Sequence, residues 1–268
     1  MTVLFEPKPI FHNRSDWSDL IGDQALSDAL SAIGNLSDGP NERLEPLLQQ
    51  VGLLKRVVQL LMHSNVKVVR QALRAVGNVA TGADHHTQAV LDAAVLPCLK
   101  HLLNSPKETV RKDALWTVSN VTAGSRKQIQ AVVSAGLLPK LVALCAGGNY
   151  KTRREAAWSL TNAAAGGSVA QCAALLDAGA VAPLCDLLTV VGDTELVGVA
   201  LDGLEALLSK AEKARKNKAA SGLDESRQNA AAEAIEACGG LAKLEFLQTS
   251  QQSQIFVKAC ELVQKYFD

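Results

Sequence analysis

Two tryptophan–asparagine pairs are the residues of this chain best suited to bind a ligand. Trp116 stands four positions before Asn120, and Trp158 stands four positions before Asn162, in a chain with only three tryptophans. Residues four apart share one face of an α-helix, so each pair is predicted to present an indole beside a carboxamide. A carboxamide carries donors and an acceptor, which lets it pair with the backbone of an extended peptide or, alternatively, with a neighbouring helix.

An acidic residue accompanies each pair. Asp113 and Glu155 lie three positions before Trp116 and Trp158, so acid, indole and carboxamide share one helix face. Neighbouring indoles form slots with apolar walls and electron-rich faces, which accept the methylene stem and the cationic head of Lys or Arg. A carboxylate at the end of such a slot favours the same cations. The pattern therefore predicts an extended basic peptide as the ligand.

Burial in the core is the structural alternative for the two tryptophans. Other units of the repeat described below carry Ser31, Arg74 and Leu201 at the same position. A position that accepts Ser and Arg does not require a core side chain, so we interpret the indoles as groups of a binding surface. The amide position also recurs, although Asn is a mediocre helix former. It is occupied by Asn35, Asn78, Asn120 and Asn162.

These positions recur because the chain is built from repeats. The segments SAIGN, RAVGN, WTVSN, WSLTN and LDGLE start at residues 31, 74, 116, 158 and 201, which are 42 or 43 positions apart. A second series, which includes VGLLKRVVQLL from Val51 and AAVLPCLKHLL from Ala93, has the same period. A period of this length is typical of armadillo and HEAT repeats, whose units bury their apolar faces against one another.

Each unit contains three helical segments. After Ser125, a short segment ends at Gly136, a second has Pro139 near its start, and a longer third runs from Lys151 to Gly166. Three helices per unit favour armadillo over HEAT repeats. We predict an all-α, right-handed α-solenoid of armadillo repeats, with the Trp and Asn positions on the third helices.

The repeat pattern divides the chain into four parts. Residues 1–38 are predicted to form an irregular N-terminal segment and a partial armadillo repeat, and residues 39–208 four armadillo repeats. Residues 209–232 stretch the spacing and carry a basic run, which we interpret as a solvated insertion. Residues 233–268 are predicted to form a C-terminal capping repeat.

Composition limits the other functions. Lys plus Arg and Asp plus Glu both number 27, so no overall charge favours nucleic acid or anionic lipid. No window is apolar enough to span a membrane, and the six cysteines lack zinc-ligand spacing. His85 and His86 have no further ligands at a suitable spacing, and no nucleotide-binding or nucleophile motif is present. We predict no metal, no cofactor, no enzymatic activity, reduced core cysteines and a soluble intracellular protein.

With this pattern on a 42-residue repeat, the sequence resembles the importin-alpha family of nuclear transport adaptors. The similarity runs from about Asp28 to Asp268 in the family's order, and it corresponds to the carboxy-terminal half of the family's armadillo domain. The matching segments include SDGPNER from residue 37, ALRAVGNVATG from residue 72, WTVSNVTAGSRKQIQAVV from residue 116, KTRREAAWSLTNAAAGG from residue 151 and LDGLEALL from residue 201.

The resemblance implies a peptide site. Trp116, Asn120, Trp158 and Asn162 match the family's minor site for nuclear localisation signals, and Arg74 matches an Arg in the unit before that site. The resemblance also implies a loop that helps to receive the key Lys of the signal. It further implies two positions that contact the neighbouring basic side chain. These are Thr81, Gly82 and Thr87 for the loop, and Ser119 and Glu155 for the two positions.

The resemblance also implies partners. The expected ligands are Lys/Arg-rich localisation signals of cargo proteins, and the expected function is that of a nuclear import adaptor of cytoplasm and nucleus. The last repeat matches the region that the family uses to contact its nuclear export receptor. Importin-beta is not an expected partner, because the family's basic N-terminal segment has no counterpart here. Nucleic acids and membranes are not expected partners either. The alternative function is an armadillo scaffold for other proteins, without a role in nuclear transport.

Overall fold

The computed structural model describes residues 22–190, 192–220 and 228–268. Within these ranges every regular element is helical, and the helices follow one another in units of three, which confirms the predicted all-α solenoid class. Trp17 and the N-terminal segment up to residue 21 lie outside the described residues.

We number the α-helices of the described residues α1 to α16 in chain order and sort them by their place in the unit. The first helices are α2 (Leu44–Gln49), α5 (Asp84–Asp92), α8 (Arg126–Ser134), α11 (Val169–Asp177) and α14 (Ala230–Ala237). The second helices are α3 (Leu53–Leu60), α6 (Val95–Leu102), α9 (Leu138–Gly147), α12 (Val181–Leu187) and α15 (Gly240–Leu247). The third helices are α1 (Asp23–Leu36), α4 (Val66–Ala80), α7 (Glu108–Thr122), α10 (Tyr150–Gly166), α13 (Thr194–Ala220) and α16 (Ser253–Tyr266). A 3₁₀ turn, Asn41–Arg43, precedes α2.

A residue with left-handed backbone geometry joins each first helix to the second. Gly52, Gly136, Gly179 and Gly239 have φ values from 67° to 81°, and Ala94 takes the same place with φ of 61°. Glycine adopts this geometry without the strain that a Cβ atom causes. The turn bends the chain by 84° between α8 and α9 and by 80° between α11 and α12, so the second helix runs nearly perpendicular to the first.

Helices of one class pack on helices of the same class in the next unit. The third helices form the most extensive of these stacks, which runs through α1, α4, α7, α10 and α13. Alanines at the contacts, including Ala72, Ala114 and Ala156, are completely buried and let the helices approach closely. The inner third helices, α4, α7, α10 and α13, are therefore covered at both sides by neighbouring third helices and at the back by their own units, which leaves one face of each exposed.

Side-chain caps define where two of the groove helices begin. The Asn65 carboxamide oxygen accepts the backbone N–H of Lys67 at 2.9 Å, and the Asn149 carboxamide oxygen accepts that of Thr152 at 3.0 Å. Both bonds satisfy a donor that the helix itself leaves unpaired. They fix the start of α4 and α10, and hence the register in which Arg74 and Trp158 face outward.

Helix α13 is longer than the other third helices because it continues through Ser209 to Ala220, into the residues predicted as an insertion. The Lys210 ammonium donates to the carbonyl oxygen of Gly167 at 2.8 Å, and Arg215 forms an ion pair with Glu212 at 2.7 Å. The first part of that segment is thus an extension of the third helix. Residues 221–227 lie outside the described ranges.

All six cysteines are free thiols, three of them buried and three half-buried. Burial raises the pKa of the Cys145 thiol to about 12, so this thiol stays protonated and unreactive. No single helix of the described residues is both long and apolar enough to cross a membrane; only two sharply bent pairs, α8 with α9 and α11 with α12, reach that length and composition.

Candidate peptide-binding groove

Four consecutive third helices line one open groove of about 630 Å³, which we call the third-helix groove. Its lining side chains are Ser27, Val66, Lys67, Arg70, Gln71, Arg74, Thr109, Lys112, Asp113, Trp116 and Glu155. The groove brings together Arg74 of α4, Asp113 and Trp116 of α7, and Glu155 of α10. These are four of the residues that the sequence indicates as a site.

Both indoles are half-buried at this surface. Trp116 lies directly on the backbone of α4, since a Cβ atom added to Gly77 would be only 2.1 Å from Cζ3 of the ring. Trp158 packs against the core from α10 and is also only partly covered. Each ring is therefore supported by the protein on one part of its surface and accessible on another. Gly77 supports this ring and was not identified from the sequence, where the equivalent residues Gly34, Ser119 and Thr161 are also small.

The asparagines connect successive third helices. The Nδ2 group of Asn78 donates to the carbonyl oxygen of Gly34 at 2.9 Å, that of Asn120 to Gly77 at 3.3 Å, and that of Asn162 to Ser119 at 3.1 Å. The bond to a neighbouring helix, one of the two alternatives left open by the sequence, is thus formed at all three positions.

One half of each amide remains available at Asn120 and Asn162. Both side chains are half-buried, and their Oδ1 atoms accept no hydrogen bond from the described residues. Since the Nδ2 group is anchored to the previous helix, the orientation of the carboxamide is fixed before a ligand arrives. The bond to the neighbouring helix is therefore compatible with the peptide contact that the sequence predicts for these residues.

The groove carries both signs of charge, with cations on α4 and α7 and carboxylates on α7 and α10. Asp113 pairs with Arg70, whose Nε lies 3.0 Å from Oδ2, and with Lys112, whose Nζ lies 3.4 Å from Oδ1. Glu155 forms no ion pair with the described residues, and burial raises the pKa of its carboxyl group, an effect that Lys112 and Arg154 oppose. Glu155 is therefore the groove carboxylate that lacks a cation. Arg70 and Lys112 were not identified from the sequence.

Arg74 is held away from the indoles. Its Nη2 atom lies 3.2 Å from the carboxylate of Asp38, beyond the end of α1, and its stem lies beside Gly34. The guanidinium is therefore engaged by a carboxylate of the preceding connection.

The loop residues indicated by the resemblance support the backbone between α4 and α5. Thr81 is exposed and its hydroxyl donates to the carbonyl of Asn78 at 2.7 Å, whereas Thr87 is buried and donates to Ala80 at 3.1 Å. Gly82 leaves no room for a side chain, because a Cβ atom there would be 2.3 Å from Nδ1 of His86. Ser119 is buried too, and its hydroxyl donates to the carbonyl of Trp116 at 2.8 Å.

Family comparison matches four segments of this chain. The family described as armadillo/beta-catenin-like repeat matches residues 41–81, 83–123 and 125–165, and the family described as atypical Arm repeat matches residues 229–268. The chain belongs to the armadillo repeat family.

This armadillo protein is similar to several importin alpha subunits. Importin subunit alpha-1b of Oryza sativa subsp. japonica is 44% identical and importin subunit alpha-3 of Arabidopsis thaliana 45% identical, each over 246 residues that cover 91% of this chain and 45% of the relative. Importin subunit alpha-7 of Arabidopsis thaliana is 48% identical over 240 residues, which cover 88% and 45%. The predicted resemblance is confirmed, and the chain spans less than half the length of these relatives.

Solved armadillo structures share the fold. A designed armadillo repeat protein in complex with the peptide (KR)4 has a TM-score of 0.78 at 28% identity, over 91% of this chain and 94% of the designed chain. A second designed armadillo repeat protein has a TM-score of 0.77 at 27% identity, over 90% of this chain and 93% of its own. Both support the solenoid architecture of this armadillo protein.

The repeat alignment is displaced by one residue on α13. Leu201, aligned with Trp116 and Trp158 from the sequence, is completely buried. The next residue, Asp202, is exposed instead. The starts of α10 (Tyr150) and α13 (Thr194) are 44 residues apart, whereas those of α7 (Glu108) and α10 are 42 apart, so the sequence alignment of this unit is displaced by one position and Leu201 belongs to the core.

A histidine replaces glutamine at a recurrent cap of the first helices. The Gln128 side chain accepts the N–H of Ser125 at 2.7 Å and donates to the carbonyl of Asp84 at 2.8 Å, which links two first helices. His86 is completely buried at the same place in its own unit. Its Nδ1 accepts the N–H of Ala83 at 3.0 Å, and its Nε2 lies 3.0 Å from Oε1 of Glu45. The imidazole thus reproduces both bonds of the glutamine.

This arrangement also bears on metal binding. Glu45, His85 and His86 bring one potential ligand atom each within 4.8 Å of one another, a cluster that sequence spacing did not reveal because Glu45 lies 40 positions away. The N–H of Ala83 points at Nδ1 of His86, so the ring proton must reside on Nε2, where it faces Glu45. A metal at Nε2 requires the proton on Nδ1 instead. The geometry therefore favours the cap over a metal site.

We expect His86→Gln to preserve stability, because glutamine makes the same two bonds in the other units. His86→Met fills similar space but makes neither bond, and it should lower the free energy of unfolding by about 1–2 kcal/mol. Urea unfolding followed by circular dichroism measures both variants. Equal losses for Gln and Met would contradict the assigned cap.

Proposed function

We propose that this protein is an adaptor that binds extended Lys/Arg-rich peptides in the third-helix groove, as a nuclear import adaptor binds localisation signals. The observation that carries the proposal is the repeated half-buried indole, on α7 and α10, next to the unpaired carboxylate of Glu155. An indole face and a nearby carboxylate both attract a cation, and the ring edges shield its methylene stem from water.

The anchored carboxamides suit the backbone of such a peptide. Packed helices stand about 8–10 Å apart and an extended chain advances about 3.3 Å per residue, so one Asn meets the peptide about every three residues. Asn120 and Asn162 each offer an Oδ1 acceptor and a second N–H donor in a fixed orientation. Little side-chain conformational entropy is therefore lost at these two residues when a peptide binds.

The comparisons support the same ligand class. One structurally similar designed armadillo protein was solved with the peptide (KR)4, and the similar natural proteins are importin alpha subunits. We therefore propose localisation signals of cargo proteins as the peptides, and cytoplasm and nucleus as the compartments of this protein.

A scaffold for acidic partners is the second candidate function. Lys67, Arg70, Arg74 and Lys112 also line the groove. Three of these cations are engaged, however, since Arg70 and Lys112 pair with Asp113 and Arg74 pairs with Asp38. The cations left for an acidic ligand are fewer than the lining suggests, which favours the basic peptide.

We propose the last unit as the docking surface for an export receptor. Phe246 of α15 is 64% exposed, and Phe256 and Val257 of α16 are 42% and 48% exposed. Large apolar side chains grouped at a surface are typical of protein interfaces. This surface lies outside the third-helix groove, so cargo and receptor do not compete for it.

Titration with two peptides of equal length, one of alternating Lys and Arg and one of Glu and Asp, tests the proposed function. Cation–π contacts contribute about 0.5–2 kcal/mol each and hydrogen bonds about 0.5–1.5, against an association cost of at least about 4. We therefore expect the basic peptide to bind with micromolar affinity or weaker and to change the tryptophan fluorescence. Preference for the acidic peptide would favour the scaffold function.

A further inference from the structure

An acidic pair lies on the exposed face of α13, one helix beyond Trp158. Asp202 and Glu205 are three positions apart and so share a helix face. Their side chains are 54% and 44% exposed. Leu201 and Leu204 between and beside them are completely buried and hold this face outward.

The position of α13 places this pair on the same surface as the indoles. Gly203 faces α10, because a Cβ atom there would be 2.5 Å from Oγ1 of Thr161, the residue before Asn162. The Thr161 hydroxyl in turn donates to the carbonyl of Val199 at 2.9 Å. Helix α13 lies between α10 and α16, so its exposed face is next to that of α10, whose Glu155 is the last residue that lines the third-helix groove.

A lysine of this chain already occupies the acidic pair. Lys258, on the third helix α16, forms ion pairs with Asp202 and, at 3.1 Å, with Oε2 of Glu205. Its side chain is only 27% exposed. The ammonium group thus sits between two groove carboxylates in the way that a basic side chain of a ligand would.

We propose that Asp202 and Glu205 form a further cation subsite of the groove, for a Lys or Arg side chain beyond the Trp158 slot, and that Lys258 fills this subsite in the protein without ligand. The proposal rests on the proposed function, since it extends the same peptide path by one helix. Lys258 is then a specificity-determining residue, because it competes with the ligand for the two carboxylates and so limits the length of basic peptide that the groove favours.

The other end of the groove provides a counterpart. Arg74, at the tryptophan position of α4, pairs with Asp38 of the preceding connection. On each side of the two indole-bearing helices, a cation of the chain therefore forms an ion pair: Arg74 on one side and Lys258 on the other. Such pairs satisfy local acids that would otherwise attract a longer basic ligand.

Three peptides and one substitution test the subsite. The short peptide carries alternating Lys and Arg and covers the positions of Trp116 and Trp158, whereas the two long peptides add a Gly-Gly-Lys spacer at the C-terminus or its reverse at the N-terminus. About three added residues reach the next helix. We expect Lys258→Met to raise the affinity of one long peptide by up to about fivefold, the value of an exposed ion pair, and to leave the short peptide unchanged.

Matched variants separate the subsite from a general change of charge. Lys243 pairs with Asp186 at 2.6 Å and is 26% exposed, so Lys243→Met removes an equivalent ion pair away from the groove and should not change any affinity. Lys258→Arg should keep the pair and behave like the wild type. Asp202→Asn added to Lys258→Met should remove the gain. If Lys258→Met loses its helical circular dichroism signal, Lys258→Gln replaces it.

The outcomes are distinct. A gain for one long peptide in Lys258→Met alone supports the subsite. If the short peptide binds normally and each long peptide binds Lys258→Met no more tightly than it binds the wild type, the subsite is overturned and the proposed function remains intact. Failure of the short peptide to bind any variant overturns the proposed function, and the subsite with it.

Discussion

Replacing Gly77 by Ala is expected to reduce both stability and peptide binding, although Ala is the better helix former by about 0.5–1 kcal/mol. The added Cβ atom would lie 2.1 Å from Cζ3 and 2.6 Å from Cε3 of Trp116. The indole is rigid, so it must leave the backbone on which it lies. We expect the free energy of unfolding to fall by about 1–3 kcal/mol, the usual cost of overpacking. Peptide affinity should fall by about tenfold, because a displaced ring loses its cation–π contact.

Gly198 of α13 provides the matched control. It also lies within a third helix, but a Cβ atom there meets nothing within 4 Å. Gly198→Ala should therefore raise the free energy of unfolding by about 0.5–1 kcal/mol and leave peptide binding unchanged. Urea unfolding and peptide titration of both variants measure the difference. A Gly77→Ala protein as stable as Gly198→Ala would show that the indole does not lie on residue 77.

Replacing Trp158 by Ala is expected to weaken the binding of a Lys/Arg peptide by at least about tenfold. The indole contributes a cation–π contact of about 0.5–2 kcal/mol, and it also shields methylene groups of the ligand, each worth about 0.8 kcal/mol when buried. Because Trp158 is half-buried and packed against the core, the variant should lose some stability as well. Calorimetric titration at a temperature well below the unfolding midpoint separates the two effects.

Glu155→Gln should have the smaller effect, because solvent still reaches the half-buried carboxylate and screens its ion pair with a ligand, which then contributes at most about fivefold to affinity. Burial raises the pKa of Glu155 above its ordinary value of 4.5. As the pH falls toward this raised pKa, the wild-type carboxylate takes up a proton and its attraction for the ligand is lost, so affinity falls. Glu155→Gln should lack that dependence. A larger loss for Glu155→Gln than for Trp158→Ala at neutral pH would reverse our assignment of the main contact.

The fluorescence change identifies the indoles involved. Of the three tryptophans, Trp116 lines the groove, Trp158 lies half-buried on the next third helix, and Trp17 lies outside the described residues. Trp17→Phe should preserve the signal that accompanies peptide binding, whereas Trp158→Ala should reduce it. A signal that disappears with Trp17 alone would contradict binding at the groove.

The sequence by itself determined the repeat period, the three helices per unit and the residue types of the groove. A repeat protein makes this possible, because each unit packs mainly on its neighbours and the same positions therefore recur at a fixed spacing. Trp116 and Trp158, with Asn120 and Asn162, could be recognised as surface groups by comparing units with one another.

Tertiary structure decided what depends on contacts between units. The bond from each Asn to the preceding third helix, the support of Trp116 by Gly77 and the pairing of Asp113 with Arg70 all join residues about 40 positions apart. Burial of Leu201 and exposure of Asp202 show that α13 is displaced by one residue against the sequence alignment of the repeats. A shift of one residue turns a helix by about 100°. A different face is then presented to the groove, although the sequence pattern is almost unchanged.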